Sequence, residues 1–177
     1  MKILDELLNG CYLLQPFVFE DARGTFVKTY HQRQYDALGI EMELREEFYS
    51  VSHQGVVRGM HFQLPPHAHE KLIYCPVGSV RDVLVDLRRG PGFGKVASVE
   101  LTDHNRLQVF IPKGIAHGFS ALKDASVLVY KTSTVHAPES DAGIRWDSFD
   151  FDWGINFPNL SPRDANHPAL GDFDSPF

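Results

Sequence analysis

Cysteine is scarce in this chain. Cys11 and Cys75 are the only two thiols among 177 residues, and neither belongs to a CxxC pair or a framework spacing. That excludes a disulfide-stapled scaffold and points to a reducing, cytoplasmic setting in which both thiols serve as small buried hydrophobes. Long apolar runs are missing: no stretch approaches the about 20 residues that a bilayer-crossing helix needs, so no membrane contact is expected. The segment Met1-Lys2-Ile3-Leu4-Asp5-Glu6-Leu7-Leu8 carries acids and has no cleavage signature, so a signal peptide is not expected. Basic clusters are missing as well. With 17 Lys and Arg against 23 Asp and Glu, the net charge is −6, which argues against a nucleic-acid partner.

What is present suits one ordinary globular domain. Hydrophobic residues make up 43% and aromatics 12%, ample for a self-sufficient core. Fourteen glycines and eleven prolines punctuate the chain, and few windows hold a helical period. Val80 to Leu87 places Val83, Val85 and Leu87 on one face and stops at Arg89-Gly90-Pro91-Gly92. Val96 to Leu101, Leu107 to Ile111 and Ser126 to Thr134 also read as strands, with weaker signals at Thr25 to Tyr30, Glu47 to Ser52 and Leu72 to Val77. One helix is predicted, Gln32 to Leu38, closed by Gly39. Many short strands with frequent turns predict an all-β barrel or sandwich. After Trp153 the Pro- and Asn-rich remainder reads as an ordered wrap.

Polar residues with chemical potential cluster in three places. The first runs from Arg58-Gly59-Met60-His61 through His67, His69, Glu70 and Lys71. The second is Pro112 to Phe119, and the third is Tyr130-Lys131. His67, His69, Glu70 and His117 invite a metal reading, because two imidazoles, a carboxylate and a third His can hold Fe, Mn or Zn, and PxGxxH is half of the cupin metal signature. In metal cupins the Glu follows the HxH pair by some four residues. Here it is adjacent, and neighbouring strand residues point to opposite faces, so His67 and His69 read better as loop residues and no metal is expected. His61 differs: with a carboxylate to orient it, Tyr130 as an acid and Lys71 as a fixed cation, the chain holds the parts for proton transfer.

These motifs resemble the dTDP-4-dehydrorhamnose 3,5-epimerases of the cupin superfamily. The likeness runs through Phe19-Glu20-Asp21-Ala22-Arg23-Gly24-Thr25-Phe26, Ser50-Val51-Ser52, Gly55 to Gln63, Lys71, Asp82-Val83, Ile111 to Phe119, Tyr130-Lys131, Ile144-Arg145-Trp146 and Leu160-Ser161-Pro162-Arg163-Asp164. The resemblance implies a cupin-type double-stranded β-helix, or jelly roll, with short helices and an irregular C-terminal wrap. It divides a single domain into N-terminal strands and helix (1–50) exchanged in a homodimer, a barrel core (51–135) and the wrap (136–177). It implies an epimerase that uses no cofactor and inverts C3, C5 or both in a nucleoside-diphosphate 4-keto-6-deoxyhexose. His61 would be the base, Asp164 its orienter, Tyr130 the acid on the opposite face and Lys71 the partner of the enolate oxygen. Arg58, His117, Phe26, Asp141 and Arg163 would contact substrate, and Arg23 would reach the diphosphate across the dimer. The alternatives are a metal-dependent cupin enzyme and a catalytically silent binding module.

Three departures carry further expectations. Alternation puts Arg58 and His61 on opposite faces of a strand, so both reach one pocket only if the backbone is irregular at Gly59. The family's adjacent aromatics five and six residues past the tyrosine are replaced by Val135 and His136, which leaves single-centre inversion as open as inversion at both carbons. Where the family carries an acid, this chain has Lys28, and Glu46 and Phe48 replace its Gln and Asn. A carboxylate only accepts, which suits the cytosine amino group, so Lys28, Glu46 and Phe48 point to a cytidine-linked substrate ahead of a thymidine-linked one.

Overall fold

The computed structural model describes residues 1–177. Thirteen strands and two short α-helices follow one another along the chain. They are β1 (Lys2–Leu8), β2 (Cys11–Gln15), β3 (Phe17–Asp21), β4 (Gly24–Lys28), α1 (Gln32–Asp36), β5 (Glu46–Ser52), β6 (Val57–Gln63) and β7 (Lys71–Val77). Then come β8 (Ser79–Asp86), β9 (Val96–Thr102), β10 (Gln108–Ile111), β11 (Ile115–Ala121), β12 (Ser126–Thr132), β13 (Asp141–Gly143) and α2 (Pro162–Ala165). A six-stranded sheet, ordered β1-β2-β10-β7-β12-β5, faces a five-stranded sheet, ordered β13-β6-β11-β8-β9. The third sheet is the β3–β4 hairpin alone. All strand pairs are antiparallel, and sequence neighbours often lie in different sheets, as a jelly roll requires.

The core lies between the two large sheets, where Ile73, Leu128 and Val109 of one meet Val80, Leu84, Phe119 and Leu101 of the other. Strand β8 shows why alternation under-reports burial here. Its inward residues Val80 and Leu84 fill the barrel, while Val83 and Val85 lie with Leu87 under Trp153 and Ile144, packed beside Phe173 and Phe177 from the C-terminal wrap. Both faces are dry, so the strand reads as a nearly continuous apolar run. Cys11 and Cys75 are buried and unpaired, and burial pushes the Cys11 thiol up to about 12.

Helix α1 ends at Asp36, two residues sooner than the sequence predicts; a tighter turn carries the chain to Gly39 at φ +74°. Its anchor is Tyr35, which is buried and donates its hydroxyl to Gln108 Oε1 at 2.8 Å. Strand pairing joins β1 and β2 to the barrel, since β1 pairs with β2 and β2 bonds to β10. The β3–β4 hairpin pairs with neither large sheet and is tied back by Arg106, 2.8 Å from Glu20, with Phe17, Phe19 and Phe26 about half exposed (46%, 49% and 56%).

Candidate active site

The expected irregularity at Gly59 is present, and it builds the site. On β11 the partners of Arg58 and His61 are Phe119 and His117, so three steps on β6 span two on β11. Gly59 has φ +135° and is followed by a cis peptide bond. A Cβ there would lie 2.5 Å from Gly118 Cα, so the two strands approach this closely only because both residues are glycine. The extra residue turns Arg58 and His61 to the same side, and both line one cavity of about 270 Å³.

Behind His61 stands Asp164, delivered by α2. Ser161 caps that helix through its hydroxyl, which accepts from the Asp164 N–H at 3.0 Å. Asp164 Oδ1 lies 2.8 Å from His61 Nε2, while Oδ2 accepts the Gly59 N–H at 3.1 Å. Burial alone would raise this carboxyl, but the bonds from His61, Gly59 and Ser161 outweigh it and hold the pKa at about 2. An ionised carboxylate only accepts, so Nε2 carries the ring proton and Nδ1 keeps its lone pair.

Lys71, at the start of β7, is 7% exposed and donates from Nζ to the His61 carbonyl at 3.0 Å. Burial lowers its pKa to about 8, against the pull of Asp82 and Asp141, so it stays mainly charged at neutral pH. Tyr130 comes from β12 in the opposite sheet, stacked on Phe48 across the β5–β12 ladder with centroids 4.8 Å apart. Burial pushes its phenol up, so it holds its proton. His117 is tied through Nε2 to Asp82 Oδ1 at 2.6 Å, and both are buried. Burial moves that carboxyl up and that imidazole down, each checked by the other's charge.

At the mouth, Arg163 donates to Asp141 Oδ1 at 2.8 Å, and His136 Nε2 lies 3.3 Å from Asp141 Oδ2. Burial would raise the Asp141 carboxyl, but these two partners keep it below the ordinary range. Arg58 is held by Ser52 Oγ at 3.0 Å. Arg58, His61 and Arg163 also border a second cavity of about 430 Å³.

The cavity therefore unites His61, Lys71, Tyr130, Arg58, His117, Phe48, Asp141 and Arg163, with Asp164 behind them. Four of the expected residues lie elsewhere. Arg23, Phe26 and Lys28 sit on the β3–β4 hairpin, outside the cavity of their own chain, and Arg23 is paired with Asp21 at 2.6 Å. Glu46 does not line the cavity, and its Oε2 accepts the His136 backbone N–H at 2.6 Å. That bond occupies one carboxylate oxygen and leaves Oε1 as the remaining acceptor.

The metal-cupin set does not assemble. His117 is locked to Asp82, His67 Nδ1 lies 2.9 Å from Ser140 Oγ, and Glu70 pairs with Lys113 at 3.3 Å. These residues do not fit a metal. Three others carry weight that sequence reasoning missed. Asp82 announces itself only as an acid on the inward face of a Val-rich strand. His136 replaces a ring and enters the wall. His167, three residues past Asp164, lies with its Nε2 3.9 Å from Asp164 Oδ1, and that i, i+3 spacing was a usable signal.

Comparison with known proteins agrees with this geometry. Residues 5–172 match the family model for dTDP-4-dehydrorhamnose 3,5-epimerase. The dTDP-4-dehydrorhamnose 3,5-epimerase of Shigella flexneri is 38% identical over 178 residues, covering 98% of each chain. Among solved structures, the Bacillus anthracis enzyme with TDP and pyrophosphate bound superposes with a TM-score of 0.93 at 32% identity, covering 95% of this chain and 98% of that one. The Legionella pneumophila dTDP-6-deoxy-D-glucose-3,5-epimerase, in complex with dTDP-4-keto-L-rhamnose, gives 0.93 at 33% identity, covering 98% and 94%. A jelly roll matched over nearly its whole length, with a cleft built on the motifs that carried the resemblance, has one reading: the chain belongs to the dTDP-4-dehydrorhamnose 3,5-epimerase family.

Proposed function

We propose that this chain epimerises a thymidine-diphosphate-linked 4-keto-6-deoxyhexose at C3 and C5, the two carbons that flank the ketone. The observation that carries this reading is the convergence of a carboxylate-oriented imidazole, a buried cation and a buried phenol on one cavity. A C–H beside a ketone is acidic only because its electron pair becomes an enolate, so the site needs a neutral base and a cation near the ketone oxygen. His61 Nδ1 takes the proton, and Asp164 stabilises the imidazolium. Lys71 balances the enolate oxygen. Tyr130, from the facing sheet, returns a proton to the other face of the carbon; its phenolate is then reprotonated from water while His61 releases its proton. Arg58, His117, Asp141 and Arg163 hold the substrate. The nucleotide follows from the relatives, whose names and bound ligands are thymidine diphosphates.

The β3–β4 hairpin supports a second part of the proposal. It exposes three phenylalanines and an arginine and leaves its own cavity untouched, which suits exchange into a second copy of the chain. Arg23, Phe26 and Lys28 would then reach the partner's nucleotide.

Proton NMR of a dTDP-4-keto-6-deoxyglucose turnover in heavy water tests the reaction. Deuterium at both C3 and C5 is expected, and deuterium at one carbon alone would reduce the activity to single-centre inversion. Calorimetry with the free diphosphates tests the base: CDP binding tighter than dTDP would overturn the thymidine assignment. Light scattering after size exclusion tests the dimer, and a monomer at working concentration would remove the hairpin residues from the site.

A further inference from the structure

We infer that His61, Asp164 and His167 form an inhibitory site for a divalent transition metal such as Zn²⁺. The ligating atoms of these three side chains all lie within 4.8 Å of one another. Two of the separations are 2.8 Å, between His61 Nε2 and Asp164 Oδ1, and 3.9 Å, between His167 Nε2 and the same oxygen. An ion with tetrahedral bonds of about 2.0–2.2 Å to imidazole nitrogen and carboxylate oxygen wants its donors about 3.4 Å apart, so these side chains close on it only by turning, the widest pair by about an ångström. Two imidazoles and one carboxylate with an open fourth position are a donor set that zinc, cobalt and nickel favour.

His167 is what makes this more than a catalytic pair. Its side chain is 12% exposed, and its Nε2 is buried with no hydrogen-bond partner. A lone buried nitrogen costs free energy unless something meets it. The ring stands edge-on to His61, with centroids 5.9 Å apart, and fills the space beside Gly143, where a Cβ would lie 2.4 Å from that nitrogen. Asp164 Oδ2 stays with the Gly59 N–H, so the carboxylate can turn Oδ1 to an ion without releasing the bulge. The open side is the second cavity, which borders His61 and Asp164 and gives an ion and its water a path from solvent.

Inhibition follows from proton placement. An ion on His61 Nε2 takes the position of the ring proton, and a neutral imidazole then carries that proton on Nδ1. No proton is gained or lost by the ring, but the lone pair that receives the substrate proton is gone. This consequence rests on His61 as the base; the binding itself does not.

Two readouts separate these statements. Co²⁺ titrated into the full-length protein should give one saturable site per chain with the intense visible bands of tetrahedral coordination. The bands should be lost in His61→Asn. In His167→Gln affinity should fall by at least about tenfold, since even supporting groups around a metal are worth about 10–100-fold. Zn²⁺ should block deuterium exchange in the wild type, reversibly with EDTA, whereas the exchange His167→Gln retains, measured against its own zinc-free rate, should resist zinc. No saturable site in the wild type, or one that survives His167→Gln, would overturn the proposal. Binding lost in both variants while zinc leaves wild-type exchange untouched would uphold the site and instead remove His61 from the base role.

Discussion

Lys71 should cost the protein stability in proportion to what it gives the reaction. Its ammonium is buried, and its pKa falls from the usual 10.5 to about 8. Each unit is about 1.4 kcal/mol of preference for the neutral form, so charging Lys71 in the fold costs about 3 kcal/mol relative to the unfolded chain. The direction with pH follows. Below pH 8 both states hold the proton and the full cost applies. Between about pH 8 and 10.5 the unfolded chain binds more protons, so stability rises with pH. Replacing Lys71 with Met removes the charge and keeps a linear side chain, but leaves the His61 carbonyl without a donor, which returns about 1 kcal/mol. The net expectation is a variant more stable by about 2 kcal/mol at pH 7, or about 4–8 °C in melting temperature for a chain of this length. Exchange should fall by about 10²–10³-fold, the usual value of one electrostatic contact to a developing oxyanion. The assay is denaturant unfolding of both proteins from pH 7 to 10.5. The wild-type minus variant difference isolates Lys71 from the other groups that titrate there, and it should shrink and then reverse as pH rises, because the cost of the charge vanishes while the hydrogen bond remains. A variant no more stable than wild type at pH 7, or a gap that stays constant with pH, would refute the reasoning.

His61→Asn should reduce deuterium exchange by about 10²–10⁴-fold with little change in melting temperature; a variant keeping more than about a tenth of the activity would remove His61 as the base. Asp164→Asn should slow exchange less than His61→Asn but melt earlier, by about 1–3 kcal/mol, because one amide cannot accept from both His61 and Gly59; an unchanged melting temperature would contradict this. Gly59→Ala should lose about 1–3 kcal/mol from its φ alone, with the 2.5 Å approach to Gly118 on top, and exchange should fall with it. Wild-type stability in that variant would mean the strands do not need the close approach.

Where the sequence was readable, the physics was local. Val-rich alternation marks β8, β9, β10 and β12 because their cross-strand neighbours bury at least one face. It fails for β1, which is mostly exposed and interrupted by register shifts at Ile3/Asp5 and Glu6/Leu8, and for the exposed β3. It misses β11, as buried as β8 and β10, because Gly118, Ser120 and two alanines dilute the β-branched signal that marks the other two. The site was legible in part. The irregularity at Gly59 could be deduced because two residues needed in one pocket stood three apart on a strand. The His61–Asp164 contact spans 103 positions, and no spacing encodes it; only the resemblance joined the two. The engagement of Glu46 by the His136 N–H was equally hidden, since it depends on how the chain turns after β12.

The bulge at Gly59, the Asp164 carboxylate and the His61 imidazole form one device, and this explains why the cleft sits here on the barrel. A regular strand would send Arg58 and His61 to opposite faces. The extra residue at Gly59 corrects that, but it frees a backbone N–H in a buried place, which costs about 1–3 kcal/mol if left unpaired. Asp164 Oδ2 accepts that N–H, and the same carboxylate, held ionised, orients the imidazole through Oδ1. A group needed to satisfy the distortion is therefore also the group that sets the tautomer of His61. Because Asp164 arrives on α2 from the C-terminal wrap, the wrap does more than cover Val83 and Val85: it also brings the carboxylate that meets the His61 imidazole.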